Sequence, residues 1–188
     1  MICISVINIF GRLFFMIILN LLQSFFCKQT LIYENILVCN SKIKTQISWS
    51  GLEITNPVMF IDTHLHRTDS FVFQHEVGHI KKNHMLKLLV FKMLIMQFYI
   101  ILDYIFSINI TYILIIILIN LLSILKSRRY EKESDLYAVS KCSISEIIIG
   151  MNHLEETSNF LDPHPKLTER KQYIKRALKI KNRMSKNN

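Results

Sequence analysis

Glycine and proline are scarce in this 188-residue chain, 4 and 3 respectively, and no internal repeat is present. No low-complexity stretch stands out beyond runs rich in Ile and Leu. The length suffices for one ordinary domain with its core and falls short of two. Cysteine is little better represented: Cys3, Cys27, Cys39 and Cys142 form no CxxC pair and no framework spacing, which argues against a disulfide scaffold or a redox dithiol. All four read as structural, free cysteines that behave as small hydrophobes. Acidic residues are also short, 14 Asp and Glu against 23 Lys and Arg, leaving a net charge of +9. The excess concentrates between Lys166 and Lys186, where nine bases accompany the single acid Glu169. No zinc knuckle, arginine-rich hairpin or set of stacking aromatics goes with that run, so nucleic acid is set aside as a partner. Anionic lipid at the basic tail is the simpler expectation, beside the plain alternative of a solvated tail that helps set topology.

What the chain has in quantity is apolar sequence, 51% of residues with a mean hydropathy of +0.28, most of it in two blocks. Residues 2–26 are apolar apart from Arg12 and a few small polar groups. No base precedes Arg12 and no small-residue cleavage site follows the run, so an uncleaved N-terminal anchor is expected rather than a secretory signal. Between Met93 and Leu125 the only charged residue is Asp103. A bilayer span needs about 20 apolar residues, so this run with its approach predicts a transmembrane helical hairpin over 86–125, turning near Asp103, Ser107 and Asn109. A soluble, fully buried hairpin is the alternative, and a chain this short would struggle to surround it. Lys81, Lys82 and Lys87 precede the hairpin and Lys126, Arg128, Arg129 and Lys132 follow it, which places both ends on the cytoplasmic side of an integral membrane protein.

Elsewhere the pattern changes. Residues 31–62 carry short β-branched alternations punctuated by Gly51 and Asn56-Pro57, which predicts two or three strands in a small sheet. Residues 69–84 predict a helix, with Asp69 as N-cap and Phe73, Val77 and Ile80 along one face. Residues 127–188 read as helical, broken at Asp162-Pro163-His164-Pro165. The expected fold class is α+β, mainly α.

Within the helix at 69–84 stands His75-Glu76-Val77-Gly78-His79. Two histidines four apart lie on one helical face, as two adjacent corners of a zinc tetrahedron require. A glutamate beside the first of them is placed to take the proton of a water on that metal. The bland alternative is a pair of surface histidines on a charged helix. Gly78 costs helix stability, which makes sense if another backbone approaches closely there. A hydrolytic zinc site normally takes three protein ligands and a water. Glu131 and Asp135, four apart, offer one carboxylate to ligate and one to hold a ligand histidine in the right tautomer. Glu133 points elsewhere on that helix and reads as a solvated charge. Asp62-Thr63-His64-Leu65-His66 resembles a metal dyad at strand spacing, but with a complete ligand set already found His64, His66 and His84 read as polar loop or helix-end residues, and His153 has no evident partner in the sequence.

The strings HEVGHIKKNH (75–84), SRRYEKESD (127–135) and HPKLTER (164–170), with an apolar hairpin between the first two, resemble the membrane gluzincins of the CAAX prenyl protease and HtpX family. Residues 43–62 look somewhat more like the related BlaR-type sensor peptidases, and Ser134 stands where the family usually has Ala. The resemblance implies a zincin-like catalytic domain with His75, His79 and Glu131 as ligands of one Zn2+ and Glu76 as general base and acid. It also implies Asp135 as the carboxylate behind a ligand histidine. His164 would then be a cleft residue able to stabilise an oxyanion, and Arg170 would support this region. The expected activity is zinc-dependent endopeptidase cleavage of membrane-associated proteins or peptides at the cytoplasmic face. The rivals are a sensor-type peptidase that cleaves a regulatory partner, and a non-catalytic membrane protein with a structural metal.

Overall fold

The computed structural model describes residues 30–40, 47–49, 57–63, 66–106, 112–154 and 162–186. The N-terminal anchor expected at 2–26 lies outside the described residues, as does His64.

Four strands form one sheet: β1 (Thr30–Tyr33), β2 (Ile36–Asn40), β3 (Ile47–Trp49) and β4 (Val58–Ile61). Their order is β1-β2-β4-β3. β1 and β2 are antiparallel and joined by Glu34-Asn35, both at positive φ (45° and 67°), the two-residue turn whose twist matches a hairpin. β4 then returns parallel to β2, and β3 pairs antiparallel to β4. The small sheet expected over 31–62 is therefore present, with one strand more than the upper count predicted.

Five helices follow: α1 (Phe71–Lys81), α2 (His84–Phe106), α3 (Tyr112–Lys141), α4 (Ile144–His153) and α5 (Leu167–Lys186). α1 starts at Ser70, whose Oγ accepts from the Phe73 backbone N–H at 3.3 Å. Asp69, expected to be the cap, instead pairs with Arg67 at 2.9 Å. α1 also stops earlier than predicted. Asn83 takes φ 52°, a left-handed conformation that ends the helix and redirects the chain into α2 at His84.

α1 is held between two apolar clusters. Phe73, Val77 and Ile80 face the sheet through Ile36, Val38, Met59 and Ile61. Phe71 faces the other way, into Ala138, Val139, Ile147, Met151 and Ile174 of α3, α4 and α5. Gly78 is where α1 meets α3: a Cβ there would stand 3.1 Å from the Ser134 Cα and 3.2 Å from the Tyr137 Cβ. The close backbone approach read from this glycine is present. Lys181 of α5 donates to the Val139 and Cys142 carbonyls at 2.7 and 2.6 Å, closing the C-terminus of α3.

α2 and α3 pack side by side where the hairpin was expected. Among the described residues, however, no helix is long and apolar enough to cross a membrane. In α3 the apolar part covers Tyr112 to Leu125 before Lys126, Arg128 and Arg129 begin, short of the ~20 residues a span needs. In α2, Lys87 and Lys92 lie toward the start and Asp103 toward the end. The polar segment 127–135, expected to be helical after the hairpin, is the continuation of α3 itself. Cys39 is buried and disulfide-bonded rather than free, and Cys142 is a buried free thiol whose pKa burial pushes up to about 11.

Candidate metal centre

α1 and α3 cross at Gly78 and Ser134, and this contact brings the expected ligand set together. His75 Nε2 lies 3.1 Å from His79 Nε2. Glu131 reaches both from α3, its Oε2 standing 3.4 Å from His75 Nε2 and its Oε1 3.3 Å from His79 Nε2. One ligand atom from each of the three can be chosen so that all lie within 4.8 Å of one another. His75 and Glu131 are buried and His79 is nearly so.

The surroundings fix which nitrogens point inward. His75 Nδ1 donates to Asp135 Oδ1 at 2.8 Å. Asp135 is fully buried and held by a bidentate Arg170, with Nε to Oδ2 at 2.9 Å and the other nitrogen to Oδ1 at 2.7 Å. The Tyr173 hydroxyl also donates to Oδ2. Burial alone would raise the Asp135 pKa, but His75 and Arg170 outweigh it and bring the carboxyl down to about 2. Burial likewise opposes charge on His75, yet Asp135 and Glu131 carry its pKa up to about 10. Glu131, despite its burial, is held well below the usual carboxylate range by His164, His75 and His79.

These values describe a site that wants positive charge at its centre. His75 donates outward to Asp135, and its Nε2 faces His79 Nε2 and Glu131 Oε2. Glu131 Oε2, although 2.9 Å from His164 Nδ1, has no aligned hydrogen bond in its buried position. Two imidazoles and a carboxylate are the donor set of hydrolytic zinc centres, and the residues present fit such an ion.

The remaining expected residues fall as follows. Glu76 follows His75 directly on α1 and is 9% exposed. His164 touches Glu131, with its ring about half exposed, and its backbone N–H donates to Asp162 Oδ1 at 2.8 Å. The contact with Glu131 raises the His164 pKa. Arg170 is buried, so one charge of the basic tail belongs to the interior, and Lys181 is engaged at the end of α3. Beside the site opens a cavity of about 160 Å³ lined by His79, Glu131 and His164 together with Met85, Leu88 and Tyr130.

Two residues depart from their sequence reading. His84 is 2% exposed rather than a helix-end polar residue, and it lies against His79. Burial and the neighbouring His79 hold its pKa down, to about 4. Glu133 is no free solvated charge: its Oε2 is 3.3 Å from His84 Nε2 and its Oε1 accepts from Arg129 Nε at 3.1 Å. Tyr173 was not anticipated at all, because nothing in local spacing links it to Asp135. His66 is not among the grouped ligand atoms.

The chain from residue 51 to 178 matches the sequence profile of peptidase family M48. No curated protein and no solved structure matches.

Proposed function

The chain belongs to peptidase family M48 and is a metallopeptidase; from that premise we propose that it is a zinc-dependent endopeptidase with His75, His79 and Glu131 as the ligands of one zinc ion. The observation that carries the proposal is the convergence of two imidazole nitrogens and a carboxylate from two separate helices, with His75 oriented by the hydrogen bond behind it. When bound, zinc supplies the Lewis acidity that polarises a carbonyl and brings a water's pKa toward neutrality.

The protein's own residues do the rest. Glu76 takes the proton of the attacking water and passes it to the departing amine. His164, half exposed at the rim, donates a hydrogen bond to the oxygen that gains charge as the carbonyl is attacked. Asp135, clamped by Arg170, keeps His75 in the tautomer that leaves Nε2 free. A substrate lying extended along β3, an outer strand of the sheet that packs on α1, would satisfy its backbone without demanding a sequence. The apolar wall of Met85 and Leu88 suits an apolar substrate side chain next to the scissile bond.

We propose also that catalysis takes place at the cytoplasmic face of a membrane, on membrane-associated proteins or peptides. What supports this is an apolar surface on the paired helices: Leu94, Phe98 and Ile105 of α2 and Leu125 of α3 are each 59–64% exposed. The basic face of α5 would meet anionic lipid. Glu76→Gln tests the catalytic reading. The variant is expected to keep its zinc and lose peptide hydrolysis by at least ~10²-fold. Undiminished proteolysis, or full biological activity in its absence, would favour a structural metal. Retention of the protein in the membrane pellet after alkaline carbonate washing tests the lipid contact, and complete release would refute it.

A further inference from the structure

The ring of His79 has two nitrogens, and only Nε2 faces His75 and Glu131. If Nε2 holds the metal, Nδ1 carries a proton and, in a site this closed, needs an acceptor. The group that meets it is His84: the two Nδ1 atoms are 3.2 Å apart. For that contact to be a hydrogen bond, His84 Nδ1 must accept, which leaves its proton on Nε2. Nε2 faces Glu133 Oε2 at 3.3 Å, and Glu133 Oε1 accepts from Arg129 Nε at 3.1 Å. Each link therefore has one donor and one acceptor, from Arg129 at the surface inward to His79. The His84 ring is fixed in plane by stacking on Tyr130, 4.5 Å between centroids and 10° between planes. Ser134 Oγ adds a contact of 3.2 Å to the same Nδ1.

This arrangement depends on the break between α1 and α2. On one unbroken helix, residues five apart point about 140° away from each other and do not touch. The left-handed Asn83 turns the chain so that the first residue of α2 folds back against the last turns of α1.

We propose that His84 is a positioning residue for the metal centre, accepting the Nδ1 proton of His79 and passing the interaction on to Glu133, so that the second ligand histidine is oriented by a neutral imidazole relay. The proposal rests on the zinc reading above. His84 is not itself a ligand in this arrangement, because it meets the face of His79 that points away from Glu131.

The test is zinc affinity of the purified full-length protein, by competition with a chelator of known strength, together with the visible spectrum of the Co2+-substituted protein. His84→Phe keeps a ring to stack on Tyr130 and cannot accept a hydrogen bond. It is expected to bind zinc ~10–100-fold more weakly and to alter the Co2+ bands. His84→Gln offers an amide oxygen to His79 and is expected to stay within about fivefold of the parent. Glu133→Ala, at a partly exposed position that folding tolerates, is expected to weaken zinc by ~3–10-fold. A His84→Phe protein that binds zinc as tightly as the parent overturns the relay, as does a His84→Gln protein weakened equally with it. Should the Phe variant fail to fold, an unchanged affinity in Glu133→Ala overturns it instead. A parent protein that binds no zinc, or binds it no better than His75→Ala, signals failure of the zinc reading itself rather than of the relay.

Discussion

His75 and His79 stand one turn apart on the same helix, yet the protein holds their outer nitrogens by different means. Behind His75 is a carboxylate buried completely and gripped by Arg170 and Tyr173 from α5, some forty residues further along the chain. Behind His79 is an imidazole whose own support, Glu133 and Arg129, reaches the surface. A buried ion pair is costly to break, because the partner left behind keeps its desolvation penalty. An exposed one is cheap. The first arrangement therefore ties the metal centre to the folding of α5, while the second leaves the other histidine on a softer mount.

The sharpest way to break this comparison is Asp135→Leu. It strands the Arg170 guanidinium in the interior and frees His75 to turn, so a stability loss of about 3–5 kcal/mol is expected. Chemical denaturation of the metal-free protein measures it, and zinc competition should show a parallel weakening of about 100-fold. A variant as stable as the parent would mean that α5 is not locked by this carboxylate. A smaller effect is expected from Gly78→Ala, which alters the spacing on which both histidines depend. Its new methyl would meet the Ser134 Cα at 3.1 Å, so α1 and α3 must separate slightly, at a cost of about 1–3 kcal/mol. Thermal melting measures the cost, and unchanged melting would show that the helices have slack at their crossing. The least effect belongs to Arg129→Ala. Its side chain is 79% exposed and paired at i,i+4 with Glu133, so a change of no more than ~0.5 kcal/mol is expected by the same denaturation. A loss approaching that of Asp135→Leu would erase the distinction between the two supports.

How far the sequence foretold these features follows from which of them are periodic. His75 with His79, and Glu131 with Asp135, lie at helical spacing, and helical spacing survives into the structure unchanged. Gly78 announced a close approach because glycine is otherwise a poor choice inside a helix. The sheet was legible from its alternation and turn residues, though not its fourth strand. His84 was illegible for a concrete reason: its relation to His79 is created by one left-handed residue, Asn83, that ends a helix in the middle of an otherwise continuous pattern. Glu133 was misread with it, since a charge two residues from a ligand looks solvated until its partner is known. Tyr173 and Arg170 meet Asp135 through tertiary packing alone. Ser134 acquires a partner only once His84 is in place. The apolar run was read as a pair of membrane spans, but among the described residues no helix is long and apolar enough to cross.

The central claim is that Glu131, and not its neighbour Glu133, completes a metal site with His75 and His79. Metal analysis of three purified proteins tests it most directly: the parent, Glu131→Ala and Glu133→Ala, each dialysed against the same zinc-buffered solution well above the parent's dissociation constant. About one zinc per chain is expected in the parent and in Glu133→Ala, whose affinity falls only modestly, and a small fraction of one in Glu131→Ala. A Glu131→Ala protein that retains a full equivalent of zinc while Glu133→Ala loses it would contradict the account.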